Sequence, residues 1–441
     1  MSHLRQIAGI AALLLSFAAP QHAWADDFIF GTGAHFAFNP KRGYLPETQR
    51  PHIADLGVSS FRDDILEGAF TVTEPDHPLG RQLDRLNTML LERGPRAVLI
   101  LKGRQLAKTP VLRDAPTSPR EIEMFANFAT RVVSATKAFN PIYEIWNEWN
   151  MGWRPRQPVM GPLGLRSENP DYSPENYVEV ARATYQAIKA TSPAALVLTG
   201  SIGDDEGWEW SKRAMKAGLA KTGDGISVHF YNHCNPPPRR TAENLIEKVE
   251  SFHKAIQEAG TGTLPLYITE FGWPNDQGPC GIPHALAAAN LAQFALWAPT
   301  RSWIKGIWTY ELRNSGINPM DREDNFGLYD YDNVAKPAVC MYREAIKLSR
   351  SLTDATFRQT QPGIRWLEGK TAQGRTIWVI WTTGRDARAA IRYRDGSAVT
   401  GKALCDGKNA ASSVEELTMA PLVVEPGEKA ADSLVVQLKR P

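Results

Sequence analysis

Ile142-Tyr143-Glu144-Ile145-Trp146-Asn147-Glu148-Trp149-Asn150 is an apolar run that ends in a cluster of amides, indoles and carboxylates. In a strand, side chains alternate faces. The pattern therefore puts Glu148 on one face with Trp146, Glu144 and Ile142, and Asn147 on the other. A carboxyl flanked by two indoles is poorly hydrated, and desolvation raises its pKa toward the range of a general acid. From this stretch alone, a structurally paired glutamate reads the same way.

Helical patterns flank the run. Ser118 and Pro119 have the form of an N-cap and first helical position, followed by a stripe of Ile122, Phe125, Ala129 and Val132. Ser173 and Pro174 repeat that start before Tyr177, Val180, Thr184 and Ile188. The same strand-then-helix unit recurs in both directions. Strands are expected at Phe28 to Phe36, Val58 to Ile65, Arg96 to Leu101, Ile142 onward, Ala195 to Ile202, Ile226 to Tyr231, Leu264 to Phe271 and Gly306 to Leu312. Helices are expected between them, among them Pro46 to Leu56, Leu79 to Arg93 and the Ala-rich Pro283 to Trp297, with Pro337 to Leu348 closing the series.

Parallel neighbours need crossover connections, so strict alternation predicts a parallel sheet. Eight units within residues 26–350 predict an α/β fold, a (β/α)8 TIM barrel. No Gly-x-Gly-x-x-Gly follows the first strand, and Gly31-Thr32-Gly33 reads as close backbone packing rather than a dinucleotide site. From about Thr353 the pattern changes to short alternating runs at Ile364 to Leu367, Thr376 to Trp381, Ala389 to Tyr393, Leu422 to Val424 and Leu434 to Leu438. These predict a small C-terminal β-sandwich over residues 351–441, with packing against the barrel as its expected role.

Residues 1–25 have the form of a secretory signal: His3 and Arg5, an apolar run from Ile7 to Ala19, then Ala23-Trp24-Ala25. The run is too short for a membrane anchor. The formal charge of +2 falls to +1 when Arg5 leaves, because 49 basic side chains then face 48 acidic ones. Such a balance predicts no nucleic-acid or anionic-membrane partner. Export implies an oxidising compartment, periplasmic or extracellular, where four cysteines allow three pairings. Cys234 with Cys280 is expected, since both fall in neighbouring loops at one end of the fold.

In such a barrel the site lies at the C-terminal ends of the strands. Those ends carry His35, Arg62, Asn147, Glu148, His229, Tyr231, Glu270, Trp273, Trp308 and Glu311. Strand seven, like strand four, ends in a glutamate followed by aromatics, Glu270-Phe271-Gly272-Trp273. Two facing carboxyls are what glycoside hydrolysis requires: one to protonate the leaving oxygen, one to attack the anomeric carbon. Asn147-Glu148 after strand four with Glu270 after strand seven resembles the clan A retaining glycoside hydrolases. The barrel with a terminal β-domain resembles glycoside hydrolase family 39 and the periplasmic glycosidases of exopolysaccharide loci, the Psl locus among them. The resemblance makes Glu148 the acid/base and Glu270 the nucleophile. Trp149 stands where that pattern has proline, which puts aglycone preference at this loop.

Arg62 is expected to orient Glu270 and hold it ionised while Glu148 stays protonated, or else to form a structural ion pair in the barrel. Asn147 is expected to donate to the sugar 2-hydroxyl, Tyr231 to the nucleophile, and His229 to contact sugar or support the carboxylates, unless it is a satisfied core histidine. Trp308 is expected as a stacking floor, and Trp149, Trp153 and Trp273 as further walls of an open, endo-acting groove. A closed pocket would instead fit an exo-acting β-xylosidase-like enzyme, and a third reading is a non-catalytic polysaccharide-binding barrel. The loop from Tyr310 to Leu328 is expected to pack, solvated, on the closing helix rather than rim the site. His229, His233 and Cys234 together permit a metal reading, but an exported Cys234 is expected to be oxidised. The expected partner is a polysaccharide or oligosaccharide, with no cofactor or metal, and the chain is expected to be a monomer.

Overall fold

A computed structural model describes residues 28–37, 44–66, 80–91, 94–103, 115–153, 168–260, 264–406 and 411–439. The expected signal, residues 1–25, lies outside the described residues. Strands β1 (Ile29–Gly33), β2 (Ser60–Leu66), β3 (Arg96–Lys102), β4 (Ile142–Ile145), β5 (Leu196–Ile202), β6 (Gly225–Phe230), β7 (Leu266–Phe271) and β8 (Ile304–Thr309) form a closed parallel barrel in chain order. β1 pairs back to β8 in parallel, Thr32 opposite Thr309.

The crossover helices are α1 (Pro46–Leu56), α2 (Gly80–Asn87), α3 (Pro119–Thr136), α4 (Pro174–Thr191), α5 (Glu209–Ala217), α6 (Ala242–Ala259), α7 (His284–Trp297) and α8 (Pro337–Ser351). Local chemistry sets their ends. At α3, Ser118 Oγ accepts the Glu121 N–H and Glu121 returns a carboxylate to the Ser118 N–H, a complete capping box with Pro119 following. Ser173 caps α4 in the same position. α7 is buried from Leu286 to Trp297 without an exposed face, which is why its sequence is apolar all round.

At the bottom of the barrel, Val98, Ile142, Leu198, Tyr267 and Trp308 fill the interior as one cluster. The Trp308 indole N–H donates to Ser60 Oγ at 2.9 Å, and a Cβ at Gly31 would sit 2.1 Å from Trp308 Cδ1. Only glycine leaves room for that ring, so the close-packing reading of Gly31-Thr32-Gly33 holds. Above this layer the interior turns polar, with Arg62 and Glu144 buried, and that change marks the end of the barrel where a site can open.

Beyond α8 come β9 (Leu352–Phe357), β10 (Ile364–Thr371), β11 (Thr376–Thr382), β12 (Ala389–Tyr393), β13 (Val399–Ala403), β14 (Ser412–Val414), β15 (Glu416–Leu417), β16 (Leu422–Val424) and β17 (Leu434–Leu438). They form a six-stranded sheet, β14-β13-β16-β11-β10-β9, and a three-stranded sheet, β15-β12-β17. Alternation along β11 serves two cores. Trp378 and Ile380 face the second sheet, whereas Ile377, Val379 and Trp381 join the barrel's core. Arg365 to Glu243 at 2.7 Å and Gln293 Nε2 to the Met419 carbonyl at 2.7 Å tie the sheet to α6 and α7. Cys340 and Cys405 form a disulfide between α8 and the segment after β13, and the expected Cys234–Cys280 bond is present.

Candidate active site

Arg62 is where the site begins. It projects from β2 into the barrel, 4% exposed, and each part of its guanidinium is engaged: Nε with Glu144 at 2.5 Å, Nη1 with Glu270 at 2.6 Å, and Nη2 with Asn147 Oδ1 at 2.8 Å and His229 Nε2 at 3.2 Å. Glu144, fully buried on β4, also accepts from Thr269 Oγ1 at 2.8 Å. A buried arginine requires compensation by charge, and the two carboxylates that supply it lie on β4 and β7. Arg62 thus forms an ion pair with Glu144 and a second one with Glu270.

Glu270 receives a second donor, the Tyr231 hydroxyl, at 2.7 Å. Glu148 stands opposite. The strand stops at Ile145, and Trp146 and Glu148 take left-handed backbone conformations, φ 71° and 50°. Strand alternation therefore ends before the functional residues. Trp146 turns out to ring contact with Phe125 of α3, and Trp149 to Tyr172 and Tyr177, leaving Glu148 facing the barrel mouth with its side chain 33% exposed. Its N–H donates to the Ser201 carbonyl at 2.8 Å. Gly203 lies against its side chain, where a Cβ would come 3.1 Å from Glu148 Cδ. Asn150 bridges the two loops, accepting from Gly203 N and donating to the Asp204 carbonyl.

One oxygen of Glu148, one of Glu270 and a ring nitrogen of His229 lie within 4.8 Å of one another. Glu148 and Glu270 face a cavity of about 380 Å³ that also receives His35, Asn147, Tyr231 and Tyr310. A model of the family Cellulase (glycosyl hydrolase family 5) matches residues 112–300. Among solved structures, a family 39 glycoside hydrolase from Bacteroides cellulosilyticus WH2 is 17% identical, covering 90% of this chain and 80% of that one with a TM-score of 0.62. A monomeric beta-xylosidase from Caulobacter crescentus CB15 is 14% identical, covering 94% and 96%, TM-score 0.57. GH5_18 from Streptomyces cattleya, in complex with GlcNAc, is 17% identical, covering 76% and 83%, TM-score 0.56. No curated protein matches. Residues 112–300 are thus similar to family 5 glycosyl hydrolases, and the chain shares the fold of family 39 and family 5 glycoside hydrolase structures.

The electrostatics of the site differ from the expectation of a protonated Glu148. Burial raises its pKa, but the hydrogen bond with His229 Nδ1 at 3.0 Å and the charges of His229, Arg62 and Lys102 outweigh burial and hold the carboxyl below the ordinary glutamate range. Burial in turn opposes a charge on His229, and the neighbouring Glu270 and Glu148 overcome it and raise the imidazole. Desolvation remains the largest single influence on Glu148, but Trp146 and Trp149 pack into the helix layer, and His229, Arg62 and Lys102 together outweigh the burial. Tyr231, raised well above its ordinary value by burial and Glu270, stays a hydroxyl donor.

The tryptophans are the main correction. Trp149 and Trp308 are fully buried, Trp153 and Trp273 nearly so, and none of the four lines the cavity. Trp308 is one layer too deep, in the barrel floor, and Trp273 is turned away, its indole N–H donating to Asn232 Oδ1 at 2.8 Å. The aromatic wall is instead Tyr310 and Phe326. Phe326, Arg322 and Glu323 also correct the expectation that the Tyr310–Leu328 loop only packs on the closing helix. Glu311 is fully buried beneath His35, which it meets at 3.1 Å, and accepts from Tyr44 and Ser315. Burial opposes the His35 charge, but Glu311, with Asp63 and Asp64, pushes the imidazole up to about 9.

Sequence reasoning missed Glu144 as a site residue, although a glutamate inside an apolar strand is itself a signal that a buried cation lies nearby. The metal reading of His229, His233 and Cys234 fails because Cys234 is bonded to Cys280. His233 is lowered to about 3 by burial and by Arg322, Arg240 and Lys248. Among the described residues, two groups have donor atoms close enough to share an ion, Glu148–His229–Glu270 and His35–Asp63–Asp64. Protein groups already engage these donors: Arg62 and Tyr231 bind Glu270, and the Phe36 and Ala37 N–H groups bind Asp63.

Proposed function

We propose that this chain is a retaining β-glycosidase with Glu270 as nucleophile and Glu148 as acid/base. The observation that carries the reading is the approach of the two carboxyls, oxygen to oxygen within 4.8 Å. Such an approach is compatible with the roughly 5–5.5 Å spacing of double displacement. Glu270, aligned by Arg62 and Tyr231, attacks the anomeric carbon while Glu148 gives its proton to the departing oxygen. Glu148 then takes a proton from the water that hydrolyses the glycosyl ester. The proton needed in the first step is held by the Glu148–His229 pair. Asn147, its Oδ1 occupied by Arg62, presents its NH2 to the sugar 2-hydroxyl.

The substrate class is a bacterial exopolysaccharide or related glycan, met in the periplasm or outside the cell. The signal-like N-terminus and the two disulfides support that location. No described helix is long and apolar enough to cross a membrane. The chain acts as a monomer, a state it would share with the monomeric Caulobacter beta-xylosidase. The endo-acting reading needs a tryptophan-lined groove, which the buried Trp149, Trp153, Trp273 and Trp308 do not form. This favours the second reading, exo-acting and xylosidase-like.

Incubation with 2-deoxy-2-fluoro glycosyl fluorides of gluco, xylo and manno configuration, followed by peptide mapping, tests the mechanism. An adduct on Glu270 and retained anomeric configuration are expected. An adduct elsewhere, an inverted product, or full activity of Glu270→Gln would overturn it. Release of monosaccharide without early loss of polymer viscosity is the exo outcome, and early viscosity loss is the endo outcome.

A further inference from the structure

Lys102 is the last residue of β3, next to the strand that delivers Glu148, and its half-buried side chain lines the cavity. The other cations on that wall are committed. Arg62 binds Glu144 and Glu270, His35 binds Glu311, His229 binds Glu148, Lys248 binds Asp204 at 2.7 Å and Arg322 binds Glu323 at 2.8 Å. Lys102 makes no hydrogen bond or ion pair with any described residue, and Asp64 of β2, on the same wall, stays beyond ion-pair distance of it. Glu148 offsets the Lys102 charge only in part, being shared with His229 and Arg62, and a hydroxyl satisfies the ammonium N–H groups without balancing that charge. Lys102 acts by charge on Glu148, and the acid is the group that meets the departing oxygen.

We propose that Lys102 recognises a carboxylate on the leaving sugar, so that the substrate is an acidic glycan cut with a uronate or acid-substituted unit departing past Glu148. The inference rests on the retaining reading given above. It also couples binding to chemistry: Lys102 is one of the charges that lower Glu148, and a bound carboxylate neutralises it, which favours the protonated acid that the first step needs.

The glycosyl-enzyme trapped by the 2-fluoro reagent tests this without knowledge of the natural linkage. Reactivation by an acceptor forms a bond from the acceptor oxygen to the anomeric carbon and breaks the ester to Glu270. The acceptor's proton passes to the Glu148 carboxylate. Methyl β-D-glucuronide and methyl β-D-glucoside differ only in the carboxylate. At equal subsaturating concentration the uronide is expected to reactivate roughly tenfold faster, the effect of one ion pair worth about 1.4 kcal/mol. The preference should shrink as salt is raised, disappear in Lys102→Met and persist in Lys102→Arg. Equal reactivation by both acceptors, or a preference surviving in Lys102→Met, overturns the proposal. Failure to trap any adduct overturns the retaining reading instead, so the two failures are distinguishable.

Discussion

Tyr231 directs its one hydroxyl proton at Glu270 Oε2 across 2.7 Å. A hydrogen bond to a charged acceptor contributes about 1.5–3 kcal/mol, so Tyr231→Phe is expected to lower kcat by roughly 10- to 100-fold on an activated aryl β-glycoside. An unchanged kcat would remove Tyr231 from the reaction. At His35 the observable is stability. Its pKa rises from 6.5 unfolded to about 9 folded, so its contribution is fully present below pH 6.5 and is lost as pH climbs through about 9. Asp63, raised from 3.8 to about 7 by burial, acts with the same sign in a lower window. Thermal melts should therefore show stability falling between pH 6.5 and 9, and His35→Gln should flatten that limb. A variant that keeps the same slope would assign it to other groups.

Among the elements, the corner where β4 and β5 end depends on Gly203. Its Cβ position is 3.1 Å from Glu148 Cδ and 3.0 Å from Met151 Cγ. Gly203→Ala should push the acid aside and cost roughly tenfold or more in kcat with poor leaving groups, because small misplacements of a reacting group are expensive. Dinitrophenyl glycosides, which leave without a proton, should be spared. Equal losses on both substrates would point to general damage. The barrel strands themselves were legible in the sequence, since strands buried on both faces read as continuous apolar runs between helical stripes. Glu148 and Glu270 were legible because each ends such a run. The orientation of Trp146 and Trp149 was not: reading on in steps of two requires extended backbone, and the left-handed turns at Trp146 and Glu148 break it. Trp308 misled for a different reason, being inside the barrel as expected but one layer below the mouth. Four terminal strands, β9, β13, β14 and β15, were not legible; β14 and β15 are only three and two residues long, and β13 carries Gly401 and Lys402.

At the scale of the whole molecule, the six-stranded sheet is a working part of the barrel's core through Ile377, Val379 and Trp381. The Cys340–Cys405 bond closes a 65-residue separation between α8 and that sheet, and its removal in a Cys340→Ser, Cys405→Ser double variant should cost about 2–4 kcal/mol in denaturant melts. Unaltered stability would mean that packing alone holds the sheet. The two-faced burial of β11 also has a temporal side. Residues 352–438 leave the ribosome after the barrel sequence is complete, a lag of roughly 4–17 s at about 5–20 residues per second. Throughout that interval the part of α7 that meets the sheet through Gln293 lacks that cover. The late sheet therefore delays closure: the barrel cannot bury its own outside until the rest of the chain arrives.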